Sequence, residues 1–453
     1  MATKRTTATR SRGVAGVSTH TALLVVTALL CTIGVIMVWS ASSVVAISLY
    51  GSSWSLIRNE LAFMVVGGVA LLAMRKFGYE NVGRLASPIM WVAFAGLAAV
   101  ETVGVSTMGS ARWIRLPMGF TLQPSEIMKF ALVVYISHAV ARGMSEGRAW
   151  GEIAKWPAGL TLLAAGIVIM QPDMGTATVL VAIALGIFTV AGLPKRTLLA
   201  TVGAIILAGL FAAVAMPYRM ARITSFLHRS ANDQAGGYQV TQSLVGFGSG
   251  GLTGAGLGNS KEKWGLLPNP HTDFIYSIIG EELGLIGALF VLMCFVALVA
   301  IGWRIAMNAR DRQGKLMATG ITIWIGTEAI INIAASIGLM PVTGIPLPFI
   351  SFGGTALICT LAAIGLLADI ARREAQLRPG VRRPRSSERG GAAKPRKAQA
   401  KTQNKTRSKA PQKSRTARTG TAASARSSSR PAARRPGAST PRPAPRRSAN
   451  GGR

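Results

Sequence analysis

The sequence predicts an all-α fold: a polytopic membrane protein of about ten transmembrane helices, both termini cytoplasmic, with a large structured extracytoplasmic loop between spans seven and eight. Three observations carry this expectation. Half of the 453 residues are hydrophobic and only 15% are charged, too little polar material to cover a water-soluble fold of this size. Apolar runs of about 20 residues recur, the length that crosses a hydrocarbon core of roughly 30 Å at about 1.5 Å per residue. Lys and Arg gather in alternate short connections, as they do in cytoplasmic loops.

The runs lie near residues 21 to 41, 58 to 74, 86 to 106, 124 to 141, 156 to 171, 174 to 192, 197 to 216, 274 to 302, 316 to 339 and 348 to 369. Lys4, Arg5, Arg10 and Arg12 precede the first run as they would a secretory signal. That run is too long for a signal core and many spans follow it, so it reads as an uncleaved helix. With the N-terminus inside, the basic clusters Arg75/Lys76/Arg84, Arg142/Arg148/Lys155, Lys195/Arg196 and Arg304/Arg310/Arg312/Lys315 all fall inside. The organisation expected is a basic N-terminal segment (1 to 20), a membrane domain (21 to 370) and a tail (371 to 453).

The net charge of +33 suggests nucleic acid until it is located. From Ala371 onward there are 25 Lys/Arg against two Glu, leaving 25 Lys/Arg against 15 Asp/Glu for the rest of the chain. The tail is rich in Pro, Ser, Ala and Thr without apolar periodicity, so it is expected to be disordered. Anionic inner-leaflet lipids or an acidic cytoskeletal partner segment are its expected docking surfaces; no nucleic acid is expected. Cys31, Cys294 and Cys359 each lie inside an apolar run, where a thiol is a small hydrophobe.

Two outward connections stand out, residues 107 to 123 and the 57 residues from Pro217 to Asp273. The second carries a glycine-rich stretch, Gly246 to Gly258, and should fold as re-entrant or interfacial pieces. At its end, Asp273 follows His271 and Thr272 just before span eight. A carboxylate half in the interface is partly desolvated, which suits proton abstraction; Thr272 or Asp273 could instead cap the helix. On span four, Glu126 and Lys129 share a face at a spacing of three. Ionisable groups inside a span line a cavity or hold helices together. Arg112 beside Trp113 suits phosphate or sugar recognition, or serves as an interfacial anchor. Asp173 could line the same cavity or cap span six. Lys261, Glu262 and Lys263 could meet an anionic headgroup or form a solvated cluster. Glu281 and Glu282 lie within span eight, where at least one should face protein or water. The proline-rich stretch from Pro341 to Phe349 reads as a rigid turn, followed by close helix packing through Gly353 and Gly354. The sequence holds no phosphate-binding loop, His/Cys metal pattern or serine nucleophile motif.

Taken in order, several stretches carry a resemblance: Ala-Arg-Trp-Ile (111 to 114), Gln-Pro-Ser-Glu-Ile-Met-Lys (123 to 129), Gln-Pro-Asp-Met-Gly (171 to 175), Gly-Tyr-Gln (237 to 239), His-Thr-Asp-Phe (271 to 274), Gly-Glu-Glu-Leu-Gly (280 to 284) and residues 341 to 354. The chain resembles the SEDS family of bacterial cell-wall proteins, whose members include FtsW, RodA and SpoVE. Residues 258 to 265 look more like the division-type than the elongation-type members. The resemblance implies a multi-pass plasma-membrane enzyme at the division septum that polymerises lipid II into β-1,4 glycan at the outer face. It also implies a class B penicillin-binding transpeptidase and other divisome proteins as partners. It matches Asp273 to the family's essential loop aspartate, Glu126 and Lys129 to its cavity pair, and Arg112, Trp113 and Asp173 to its outer motifs. Gln239, His271, Thr272, Lys261 and Lys263 join these as expected substrate-binding residues. Asn269, Phe352 and Thr355 depart from the commoner Glu, Tyr and Ser, which argues against assigning Asn269 a catalytic role. No cofactor is certain; a divalent cation, Mg or Mn, could help the diphosphate leave, although the sequence shows no cage for one. A lipid II flippase, an elongation-type polymerase and a divisome scaffold are the rival readings.

Overall fold

The computed structural model describes residues 18–107, 110–115, 121–214, 224 and 237–377. The N-terminal segment to residue 17, most of 215–236 and the tail from 378 onward lie outside the described residues, and with them those expectations. Among the described residues, nine helices are long and apolar enough to cross a membrane. In chain order the helices are α1 (Thr19–Tyr50), α2 (Trp54–Phe77), the short α3 (Tyr79–Arg84), α4 (Ala86–Val103), α5 (Pro124–Ser145), α6 (Trp150–Met170), α7 (Met174–Ala191) and α8 (Lys195–Val214). After these come α9 (Gly237–Gly250), α10 (Ile275–Asn308), α11 (Arg312–Ser336) and α12 (Gly354–Leu377). The nine are α1, α2, α4 to α7 and α10 to α12; α8 occupies the position of the seventh expected run.

The helix starts follow from their first residues. Ser18 Oγ accepts the Thr21 amide (3.1 Å) at α1, Asp173 Oδ1 accepts the Thr176 amide (3.0 Å) at α7, and Asp311 Oδ2 accepts the Gly314 amide (3.0 Å) at α11. Each satisfies an amide that a helix start leaves unpaired. Pro124 opens α5, where a missing amide hydrogen costs nothing.

Three boundaries differ from expectation. The run expected over 86 to 106 leaves the helix at Val103 and enters a small antiparallel sheet of β1 (Val105–Thr107), β2 (Ser110–Arg115) and β3 (Thr121–Leu122). Val105 pairs with Trp113, and Ile114 with Leu122. The all-α expectation holds, with one small sheet added where β-branched and aromatic residues replace the apolar helix formers. The last span begins at Gly354 rather than 348, because Pro346 and Pro348 belong to a turn in which the Ser351 amide donates to Leu347 O (2.9 Å). The eighth expected span, α10, is broken at Gly284, whose φ of 69° and ψ of −170° no helix contains.

At the centre of the bundle, α11 is buried along most of its length and contacts α5, α7, α10 and α12. Beside it, α12 lies along α2 at a distance set by glycine. A β-carbon on Gly365 would stand 2.3 Å from Leu71 O, and one on Gly67 2.5 Å from Leu361 Cδ1. Small residues let two spans approach closely where lipid offers no hydrophobic drive.

Candidate active site

The chain enters α10 through a turn, residues 271 to 274, whose conformation is imposed from two sides. From α11, the Asn332 amide donates to Asp273 O (3.0 Å) and to Ile345 O (2.8 Å). From the proline-rich segment, Ser351 Oγ donates to Thr272 O (2.6 Å) and accepts the Leu347 amide (2.8 Å), while the Phe352 amide donates to His271 O (2.9 Å). Gly344, at a φ of 75°, leaves open the space where a β-carbon would stand 3.9 Å from Asp273 Oδ2. Asp273 is half-buried at the surface of this turn. The N-cap position of α10 falls one residue later, on Phe274, whose side chain cannot cap. The segment read as structural thus forms the wall of the Asp273 turn.

His271 and Thr272 belong to the same turn. The His271 ring lies 5.8 Å from Phe352, and its Nδ1 is buried without a hydrogen-bond partner. Burial pushes the imidazole down to about 4, so it is neutral near pH 7. Thr272 Oγ1 donates to Asn269 O (3.3 Å), and Asn269 takes a left-handed φ of 53°. Asn269 shapes the turn.

Deeper in the bundle, Lys129 Nζ donates to Glu126 Oε1 (2.7 Å) and to Glu328 Oε1 of α11, with the Trp324 ring centroid 5.5 Å away. Glu126 and Lys129 are 1% exposed and Glu328 is 2% exposed. The Glu126/Lys129 pair predicted from spacing is real, and a third partner closes it into an ionic triad between α5 and α11. Glu328, Asn332 and Ser336 recur every four residues on α11 and therefore share a face. Ser336 O accepts Ser243 Oγ from α9 (2.6 Å). One polar stripe on the central helix thus links the triad, the Asp273 turn and α9.

Arg112 and Asp173, proposed separately, come together. Arg112 Nε donates to Gln171 O (3.1 Å), a second guanidinium nitrogen donates to Pro172 O, and a third lies 4.0 Å from Asp173 Oδ2. Asp173 also caps α7, as one of its two readings held. The guanidinium braces the α6–α7 turn from β2.

In the glycine-rich loop, Lys263 is 4% exposed. Its ammonium donates to Gly258 O (2.6 Å), Glu282 Oε1 (3.2 Å) and Ser40 Oγ (3.3 Å). Glu281 accepts Ser260 Oγ (2.5 Å) and the Lys261 amide (2.8 Å). Both glutamates are 1% exposed and face protein, as expected. The α10 break at Gly284 makes this possible: Glu281 O and Glu282 O accept the Ala255 and Gly256 amides (2.9 and 3.0 Å), binding loop backbone into the interrupted helix. Glu262 is buried beside Glu281, and burial with that neighbouring charge pushes it up to about 7. The expectation of a solvated Lys261/Glu262/Lys263 cluster is corrected by this burial; Lys261 alone of the three is exposed.

Gln239 is half-buried on α9 and Trp113 half-buried on β2, elements other than those that form the Asp273 turn. Asn332, Glu328 and Ser40 escaped the sequence reading, and Ser351 was read only as part of a structural turn. For the first two the available signal was a polar residue every fourth position in an apolar helix. Among the described residues no group of three His, Cys, Asp or Glu is placed to hold a metal ion.

The fold and this arrangement define a class, a multi-pass membrane protein with a carboxylate turn at one end of the bundle, braced by the polar face of a central helix. Residues 20–376 match the family described as cell cycle protein FtsW/RodA/SpoVE, and the chain belongs to that family. It is 36% identical over 351 residues to the "Probable peptidoglycan glycosyltransferase FtsW" of Trichlorobacter lovleyi, covering 77% of this chain and 92% of that protein. It is 38% identical to the protein of the same name in Halomonas elongata, covering 81% and 94%. Stage V sporulation protein E of Bacillus subtilis is 37% identical, with 77% and 96% covered. Among solved structures, a chain of a peptidoglycan synthase complex superposes with a TM-score of 0.65 at 25% identity, over 78% of this chain and 98% of that one. The rod shape determining protein RodA of Thermus thermophilus gives 0.58 at 26% identity, over 78% and 96%.

Proposed function

We propose that the chain is an inverting peptidoglycan glycosyltransferase that polymerises lipid II at the outer face of the plasma membrane during septal wall synthesis. The observation that carries this reading is the Asp273 turn, whose main chain is held from two sides and which presents a half-buried carboxylate at one end of the bundle. The relatives named peptidoglycan glycosyltransferase, at 36% and 38% identity, support the activity.

Orientation follows from charge. Tyr79 Oη donates to Asp311 (2.5 Å) and Arg373 pairs with Glu80 (2.7 Å), so the α2–α4 connection, the α10–α11 connection and the end of α12 share one end of the bundle. Those connections carry Arg75, Lys76, Arg84, Arg310, Arg312 and Lys315, which favours a cytoplasmic placement for that end and an outward one for Asp273.

The reaction joins the 4-hydroxyl of an acceptor GlcNAc to the anomeric carbon of a donor MurNAc. As the new O–C1 bond forms, the bond from C1 to the diphosphate breaks, the electron pair leaves with the diphosphate, and Asp273 takes the hydroxyl proton. An α-linked donor and a β-linked product require net inversion, met by one in-line displacement. Of the four cations singled out in the sequence, Lys129 and Lys263 are engaged in buried ion pairs and Arg112 braces the α6–α7 turn, which leaves the exposed Lys261 to face the leaving diphosphate. A transpeptidase of the penicillin-binding class would cross-link the strand, in keeping with the solved synthase complex that this fold resembles. Similarity of 36 to 38% to proteins named FtsW, against 26% to a RodA, supports the division subtype.

The test is reconstitution. The purified chain with its transpeptidase and labelled lipid II should yield glycan polymer, whereas lipid transfer across vesicles without polymer would establish the flippase instead. Depletion in cells should give filaments; rounded cells would assign the elongation subtype.

A further inference from the structure

The end of the bundle opposite Asp273 holds a basic groove. Gln123 donates its amide to Thr355 at the start of α12 (3.2 Å), close to the Phe352 that binds the Asp273 turn, so α5 begins at the Asp273 end. The 22 residues of α5 then carry the chain to the other end. There a groove of about 410 Å³ opens between α3, the end of α5 and the start of α6. Tyr135, His138 and Arg142 face it from α5 at helical spacing, with Arg84 from α3, Arg148 from the α5–α6 turn and Trp156 from α6.

Its electrostatics are those of an anion site with spare capacity. Arg142 and Arg148 both converge on Glu146 (2.8 and 2.5 Å), yet their side chains remain 68% and 54% exposed. Arg84 donates to Asn81 Oδ1 (3.3 Å) and has no carboxylate partner among the described residues. Glu152 is the one carboxylate lining the groove. The floor is apolar, with Ile153 packed so closely on Gly143 that a β-carbon there would meet it at 2.8 Å. Trp156 is 67% exposed at the mouth, the position of an indole at the headgroup level of a bilayer.

We propose that this groove binds the phosphodiester headgroup of an anionic phospholipid, a site separate from the glycan chemistry. Guanidinium forks take two phosphate oxygens at once, and the phenol and imidazole add donors. The acyl chains would lie over Trp156 and Pro157. Basic pockets between spans recognise such lipids by this combination of charge and shape. A choline headgroup would set its cation among three arginines and is disfavoured.

Native mass spectrometry of the full-length chain in detergent tests this, with phosphatidylglycerol, phosphatidylcholine or inorganic phosphate added separately. Phosphatidylglycerol should be retained in preference to phosphatidylcholine, and the Arg84→Gln/Arg148→Gln chain should bind it more weakly, by about fivefold for each arginine. The basic tail is present in both chains, so their difference reports the groove. Glu152→Gln should strengthen retention by a similar factor, which keeps the test decisive if the double variant folds poorly. Equal retention of both lipids, or no change in any variant, would overturn the proposal. Inorganic phosphate binding as tightly as the lipid would reassign the groove to a soluble anion.

Discussion

The Asn332 side chain donates to the main-chain oxygens of both Asp273 and Ile345, at 3.0 and 2.8 Å. One residue of the central helix therefore fixes the Asp273 turn against the proline-rich wall. Replacement by Ala leaves those carbonyls without a buried donor, at a cost of about 1–3 kcal/mol. Asn332→Ala should lower the polymerisation rate at saturating lipid II by at least tenfold while changing KM little. A variant that altered KM alone would show that Asn332 acts on binding and not on the placement of Asp273.

The triad of Lys129, Glu126 and Glu328 makes an asymmetric prediction. Lys129→Met strands two buried carboxylates and should destabilise the chain by about 3–5 kcal/mol. Combining it with Glu126→Gln and Glu328→Gln removes the stranded charge and should recover most of that loss. Thermal unfolding in detergent distinguishes the two chains; equal melting temperatures would show that the charges are not coupled.

Two groups near the Asp273 end impose opposite pH dependences. The unfolded His271 takes up a proton near 6.5 but the folded one only near 4, so its contribution to stability is lost as pH falls from 6.5 to 4. Unfolded Glu262 ionises near 4.5 but the folded one near 7, so its contribution is lost as pH rises from 4.5 to 7. The two slopes oppose each other where the windows overlap. Single variants separate them: Glu262→Gln should leave a chain that weakens on acidification, and His271→Gln one that weakens toward neutrality, each by about 1–3 kcal/mol. Melting temperatures across that range check both signs.

At Gly254 the φ is 85° and a β-carbon would stand 2.2 Å from Glu282 O. Gly254→Ala should push the loop off the α10 break and expose the Lys263–Glu282 pair, with a stability loss of about 1–3 kcal/mol. Faster hydrogen exchange at the Ala255 and Gly256 amides, which donate to Glu281 O and Glu282 O, is the direct readout.

Much of this was legible in the residues. Apolar length located the spans because it is a local property, and Glu126 with Lys129 paired as a spacing of three requires. The cap reading of Asp173 was likewise local, needing only the chain on either side. What stayed hidden was partnership across the bundle. Glu328 and Asn332 lie about 200 and 60 residues from the groups they hold, and no sequence period announces which helix a polar stripe will face. Lys263 read as a surface charge because the break at Gly284, which turns two carbonyls of α10 toward the loop, is visible only once both segments are placed.

As the base, Asp273 must accept the hydroxyl proton through its carboxylate. Asp273→Asn keeps the size of the side chain and the main-chain bond to Asn332 while removing the proton acceptor. Purified with its transpeptidase and given labelled lipid II, this variant should unfold at the wild-type temperature and make glycan at least a hundredfold more slowly, the low end of what a general base contributes. Polymer formed at the wild-type rate would show that another group takes the proton.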